Sequence, residues 1–414
     1  MNFVSPFLYI DPGTGSMLFS ILIGATATLF FLGKAAILKL KVFFSGKKGG
    51  AIVDSTYKDY VIWNEGRQYV TLFLPILEEF EKREINVTYY TSYKDDPAFT
   101  ANYKFITSEY IGEKNTAFTR LNLLSAGFVL MTTPGLDVYQ LKRSKGVKHY
   151  SHLIHGTSDA TIYRLFGLDF FDSVLLTGDY QKNGIRYLEK KRNIKEKELV
   201  TVGLPYLDVL QKKLESIPQE ENHNFTVLLS PSWGKSSLLT KYGEKLIDPL
   251  LETSWKIIIR PHPQSKISEK DMLSRLEERY KDKQNIEWNY DQDNIYCLKK
   301  ADVMISDFSG IIFDYAYLLE RPIFYANADF DLKPYDAYWL PNNGKDEWTF
   351  QTLKKIGVDL REEDFSNIKQ IIENASTSEE RIKACRKAKE EAWMYRGESA
   401  KRVVDFMVKT VAAL

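Results

Sequence analysis

An arginine and a histidine just downstream of a β-branched run give this sequence its clearest chemical signal. In Lys256-Ile-Ile-Ile-Arg-Pro-His-Pro-Gln264 the three isoleucines suit a strand buried on both faces of a parallel sheet. Arg260 is a fixed cation, and His262 titrates near neutral pH. Pro261 and Pro263 fix φ and bias the residues before them to extended geometry, so both side chains leave the strand on a stiff support. Open α/β sheets bind ligands at the carboxyl ends of their strands, and this pair suits phosphate oxygens. A second strand-end candidate is Ile305-Ser-Asp-Phe-Ser-Gly-Ile-Ile-Phe-Asp-Tyr-Ala316. There Ser306, Asp307, Ser309 and Gly310 lie between a buried run and an apolar helix whose free N–H groups form an anion site. A plain N-cap by Ser309 or Asp307 is the competing expectation.

Two further stretches carry polar groups. His149-Tyr-Ser-His152-Leu-Ile-His155-Gly156-Thr157 invites a metal reading. On a strand, however, His149 and His155 face one way and His152 the other, and no Cys or acidic pair completes a set. No metal is expected, and no other cofactor is called for. His155, followed by Gly156 at a strand end where a ligand can approach closely, is the preferred general base. Leu229-Ser-Pro-Ser-Trp-Gly-Lys-Ser-Ser237 imitates the end of a phosphate loop, but Leu229 stands where glycine is needed and Pro231 lacks an N–H. That excludes an NTPase loop. Gly156, Thr157, Ser232, Trp233 and Lys235 are candidates to line a cleft.

The elements that must position these groups follow from alternating periodicity. Strands are expected at residues 60–63, 87–90, 105–106, 128–131, up to 154, 174–177 and 199–202, with helices at 72–84 and 180–192. A polar, proline-containing segment at 216–224 reads as a linker. A second series follows at 226–229, 257–259, 286–288, 303–305 and 322–325. Two consecutive βα series predict an α/β protein of two doubly wound domains facing a cleft, spanning 51–215 and 225–377. Residues 378–414 read as C-terminal helices, with Trp393 and Tyr395 as docking aromatics.

Composition narrows the class. With 56 basic against 55 acidic residues, nothing marks a nucleic-acid binder. Cys297 and Cys385 are too few and too far apart for a disulfide scaffold. Asp11 is the one charged side chain before residue 34, and residues 17–33 form an uncharged run at the short end for a spanning helix. Lys34, Lys39, Lys41, Lys47 and Lys48 follow it. Residues 1–50 therefore read as a membrane anchor with a basic juxtamembrane segment, spanning or lying in the interface of the inner membrane, with the remainder cytoplasmic. The absence of a basic n-region argues against a removed signal peptide. Nothing in the sequence specifies an oligomeric state.

His155-Gly156-Thr157, Gly203-Leu-Pro-Tyr-Leu-Asp208, Ser230-Pro-Ser-Trp233, Arg260-Pro-His-Pro263 and Ser306-Asp-Phe-Ser-Gly-Ile-Ile-Phe-Asp314 occur in an order that resembles the CDP-glycerol glycerophosphotransferases, the teichoic-acid primases and polymerases. The resemblance covers roughly residues 100 to 330. It implies a GT-B fold of two Rossmann-like domains, membrane association, and transfer of an alditol phosphate from a CDP-linked donor to a lipid-linked or polymeric acceptor. It also implies that His155 is the catalytic base and that His262, with the serine and aspartate of the later motif (Ser306, Asp307, Ser309), binds the donor pyrophosphate. From the residue reading Arg260 and Gly310 join them as donor-phosphate candidates, and His262 is taken as catalytic beside His155. Three departures accompany it. Ser158-Asp-Ala160 replaces the usual Pro-Leu-Lys, Trp233-Gly234 replaces Trp-Arg, and Tyr338-Trp-Leu-Pro341 stands near where an Arg-Gly segment is usual. Rival expectations are a GT-B sugar-nucleotide glycosyltransferase or epimerase, and a non-catalytic membrane-tethered assembly partner.

Overall fold

A computed structural model describes residues 56–218, 224–291, 294–307, 309–326 and 331–414. The segment expected to anchor the chain, with its lysines, lies outside the described residues. Among the described residues no helix is long and apolar enough to cross a membrane.

Thirteen short strands build two sheets that are parallel throughout. The first contains β1 (Lys58–Asn64), β2 (Val87–Thr91), β3 (Ile106–Tyr110), β4 (Ser125–Met131), β5 (Gly146–Leu153), β6 (Ser173–Leu176) and β7 (Glu198–Thr201), in the order β3-β2-β1-β4-β5-β6-β7. The second contains β8 (Thr226–Leu229), β9 (Lys256–Ile259), β10 (Ile286–Trp288), β11 (Val303–Ser306), β12 (Ile323–Ala326) and β13 (Gly357–Leu360), in the order β10-β9-β8-β11-β12-β13. Each order reverses direction once, between β1 and β4 and between β8 and β11. At such a switch point the connections diverge and leave a crevice beyond the strand ends.

The sequence forms these strands for a simple reason. β6, β8 and β11 are buried at every position, because helices cover both faces and no alternation is demanded. β13 was not anticipated. Its Gly-Val-Asp-Leu run holds a single β-branched residue and is buried at its two ends only.

The chain then returns to the first sheet. Helix Ser399–Ala412 packs on helix Val70–Lys82 and on β4, while helix Glu379–Ala392 packs on helices Ile311–Leu319 and Trp348–Ile356. Asp208 fixes the crossing. Its carboxylate accepts from Trp393 Nε1 (2.8 Å), Gly397 N (2.9 Å) and Ser399 N (3.2 Å). Gly203 permits the close approach: φ is +90°, and a Cβ there would meet the Met394 carbonyl oxygen at 2.3 Å. Trp393 is buried as anticipated, but Tyr395 is 40% exposed, its ring covered by Arg402 rather than docked.

Candidate active site

β5 ends at Leu153, so strand alternation does not reach His155. That corrects the expectation that His149 and His155 share a face. His149 stacks on Phe128 and bonds Ser173 Oγ (2.8 Å). His152 sits on the opposite face, fully buried between Tyr163 and Phe171, and neither ring nitrogen has a protein partner. Burial holds it neutral. Among the described residues no cluster of His, Cys, Asp or Glu has the makings of a metal site.

His155 itself turns into a cavity of about 420 Å³ between the two halves, within the size range of small-molecule sites. The first half contributes Tyr69, His155, Gly156, Thr157 and Tyr206, and the second Gly310, Ile311 and Asp314. Thr132, just past the end of β4, donates its hydroxyl hydrogen to the Leu153 carbonyl (2.7 Å). The same Oγ1 lies 2.8 Å from His155 Nδ1, so with its hydrogen committed it accepts from the imidazole. Tyr163 Oη stands 3.2 Å from the same nitrogen. The proton is therefore on Nδ1, and Nε2 keeps its lone pair with no protein partner among the described residues. Burial depresses the imidazole to a pKa of about 4, partly opposed by the backbone of Thr132. It is neutral at physiological pH.

A Cβ on Gly156 or on Gly310 would meet nothing within 4 Å, so both glycines leave the cavity open. No side chain caps helix Ile311–Leu319, whose first turn borders the cavity beside Gly310. Uncapped N–H groups with the positive end of the helix dipole favour an anion.

The second cluster lies along the ends of β8, β9 and β11. Asp307 is buried, and its carboxylate accepts from Ser232 N (2.9 and 3.0 Å) and Leu238 N (2.8 Å). Ser306, also buried, donates to the Ser230 carbonyl. These two hold the 230–238 loop, leaving Ser309 N, bonded to the Asp307 carbonyl, and Gly310 at the helix start. His262 Nδ1 accepts from Gln264 N (3.1 Å), which places its proton on Nε2 as a donor. Burial lowers its pKa against the pull of Asp307 and Glu269. Trp233, half exposed, faces His262 at 6.4 Å between ring centroids. Lys235 is exposed at the rim. Arg260 points elsewhere: its guanidinium bonds Asn289 Oδ1 and the Asp291 carbonyl (2.9 Å), and it is not in the cavity wall.

Asp314 and Tyr206 are among the cavity residues that escaped the sequence reading. Asp314 accepts from Tyr206 Oη (3.1 Å), and burial raises its carboxyl to about 7. A carboxyl raised toward neutrality in such a wall can donate to a hydroxyl when protonated and accept from one when ionised. The available signal was a lone acid in an otherwise apolar helix, Ile-Ile-Phe-Asp-Tyr-Ala-Tyr-Leu-Leu.

With the geometry in hand, comparison with known proteins is informative. Residues 172–409 match the family model described as CDP-Glycerol:Poly(glycerophosphate) glycerophosphotransferase. The chain belongs to that family and is a CDP-glycerol glycerophosphotransferase-like enzyme. A search of curated proteins finds no match. Among solved structures it is similar to the wall teichoic acid polymerase TagF, with TM-score 0.55 and 14% identity over 94% of this chain and 98% of that one. It is also similar to the UDP-GlcNAc 2-epimerase of Methanocaldococcus jannaschii, with TM-score 0.54 and 14% identity over 86% and 100%. The epimerase of Neisseria meningitidis gives TM-score 0.51 and 12% identity over 86% and 100%. At these identities the likeness establishes the architecture, two α/β halves of GT-B type.

Proposed function

We propose that this enzyme transfers glycerol phosphate from CDP-glycerol to an acceptor hydroxyl during synthesis of a teichoic-acid-type surface polymer. One observation carries the reading: a neutral imidazole with a free Nε2 shares a cavity with an uncapped helix N-terminus. The acceptor oxygen attacks the β-phosphorus of the donor. A new O–P bond forms, the bond from that phosphorus to the bridging oxygen breaks, and CMP departs with the electron pair. Nε2 of His155 takes the hydroxyl proton, assistance worth about 10²–10⁴-fold. The amides at Gly310 and Ile311, with His262 Nε2–H, stabilise charge on the phosphoryl oxygens and the departing CMP. An anionic donor beside His155 also raises its pKa from the ligand-free value, improving it as a base.

The acceptor is proposed to be lipid-linked or polymeric, met at the cytoplasmic face of the membrane that residues 17–33 engage. The test is release of CMP or UDP from CDP-glycerol, CDP-ribitol and UDP-sugars, with membranes supplied as acceptor. CMP from CDP-glycerol is expected. UDP release from a UDP-sugar, with CDP-glycerol inert, would replace the reading with a sugar-nucleotide activity.

A further inference from the structure

The loop that carries His155, residues 154–172, is held along its length by a segment of the other half. Residues 332–349 connect β12 to helix Trp348–Ile356 and run antiparallel to it. Thr349 N donates to Asp159 Oδ2 (2.7 Å), and Asp159 N donates to Thr349 Oγ1 (2.7 Å). Thr161 Oγ1 donates to Glu347 Oε2 (2.8 Å). Asp336 N donates to the Tyr163 carbonyl (2.9 Å), Arg164 bridges Tyr335, and Leu165 N donates to the Pro334 carbonyl (3.3 Å). Leu188 of the first half joins Leu332, Ala337 and Leu340 in a small apolar cluster behind these bonds.

Each tether lies close to the base. Tyr163, tied at its carbonyl, presents its hydroxyl to His155 Nδ1. The Thr157 carbonyl accepts from Tyr180 Oη (2.6 Å), and the Tyr180 ring lies 4.1 Å from that of Trp348, the neighbour of Thr349. Asp159 is four residues from His155 and buried, and in its reciprocal pair with Thr349 backbone and side chain of both halves exchange bonds. Residues 332–349 also follow β12 in the chain, and β12 pairs with β11, the strand leading to Ser309 and Gly310.

We infer that Asp159 and Thr349 are positioning residues: through them the donor-side half sets the orientation of His155, so the base is aligned only in a molecule whose two halves are docked. The inference rests on His155 being the base. A misplacement of about 1 Å in such a group costs on the order of 10²-fold, whereas a clamp that serves stability alone would alter neither tautomer nor coupling.

The experiment combines a double-mutant cycle with ¹⁵N NMR of the imidazole. Asp159→Ala should lower kcat for CMP release about 10–100-fold with donor KM within about twofold. Asp159→Asn, which keeps an oxygen for Thr349 N, should recover most of the loss. Added to His155→Ala, Asp159→Ala should cost nothing more, because it acts through the residue already removed. The His155 ¹⁵N shifts should move from one Nδ1–H tautomer to a mixture. If Asp159→Ala fails to fold, Thr349→Val carries the same cycle. Multiplying losses in the double variant, or unchanged His155 shifts, would overturn the inference. Absence of CMP release by the wild type would overturn the functional reading, while the NMR arm still decides the positioning.

Discussion

Thr132 and His155 share a hydrogen bond whose direction is set by a third group. Because the threonine hydroxyl is already donated to the Leu153 carbonyl, it can only accept from the imidazole, and strand pairing between β4 and β5 fixes the arrangement. Thr132→Val removes that control at almost constant volume. Its kcat is expected to fall about 10-fold, part of what a general base supplies, with CDP-glycerol affinity by calorimetry unchanged. A fall in affinity equal to the fall in rate would mean that Thr132 shapes the donor site instead.

The depressed pKa of His155 makes a pH prediction of definite sign. Its ordinary value is 6.5 and the buried value about 4, so the imidazole remains unprotonated as pH falls through the window where an exposed histidine becomes charged. In Asp314→Asn, which removes the cavity carboxyl that itself titrates near 7, the kcat/KM profile should therefore stay level below pH 6.5 and decline toward about 4. An acid limb centred near 6.5 would show that the base is a different group or that the cavity floods with water.

Asp314 and Tyr206 should act on substrate rather than on folding. Asp314→Asn keeps an acceptor for Tyr206 Oη but abolishes the ionised form. It should weaken donor or acceptor binding about 10-fold, the scale of one hydrogen bond to a charged group, with little change in Tm. Steady-state KM for each substrate decides which one meets it.

Glu347 gives a stability test. Burial first, and then Asp159, lifts its carboxyl from 4.5 to about 7. A raised acid binds its proton in the folded chain and releases it on unfolding, so stability present at low pH is lost as pH rises across that window. Glu347→Gln should flatten the dependence, with Tm above wild type by a few degrees at alkaline pH and near it at acidic pH. Parallel Tm curves for the two proteins would refute the assignment.

Asp208→Ala should destabilise by about 3 kcal/mol, since three donors lose a buried charged acceptor. Urea denaturation checks it. A change within experimental error would mean that the tail docks by its apolar face alone.

The sheets were legible because buried parallel strands announce themselves as short apolar runs, as at Thr226–Leu229 and Lys256–Ile259. His155 and His262 were legible as residue types beside glycine or proline at strand ends. Their opposite tautomers were not, for these depend on Thr132 and on the Gln264 amide, which only the folded chain brings to a ring nitrogen. Arg260 reads as a phosphate ligand until Asn289 and Asp291, some thirty residues on, are found holding it. The pairing of Asp159 with Thr349 spans 190 residues in a stretch with no periodicity, and no local pattern predicts it.

The docking of helix Ser399–Ala412 against helix Val70–Lys82 also orders events during synthesis. A ribosome adding about 5–20 residues per second releases the tail tens of seconds after the segment it must cover. Until then the nascent first half exposes an apolar helix face and Asp208 lacks the partners that hold the crossing. Loss of residues 393–412 would therefore leave the lesion's effect in the first half, where the helix face and the Asp208 carboxylate stay uncovered.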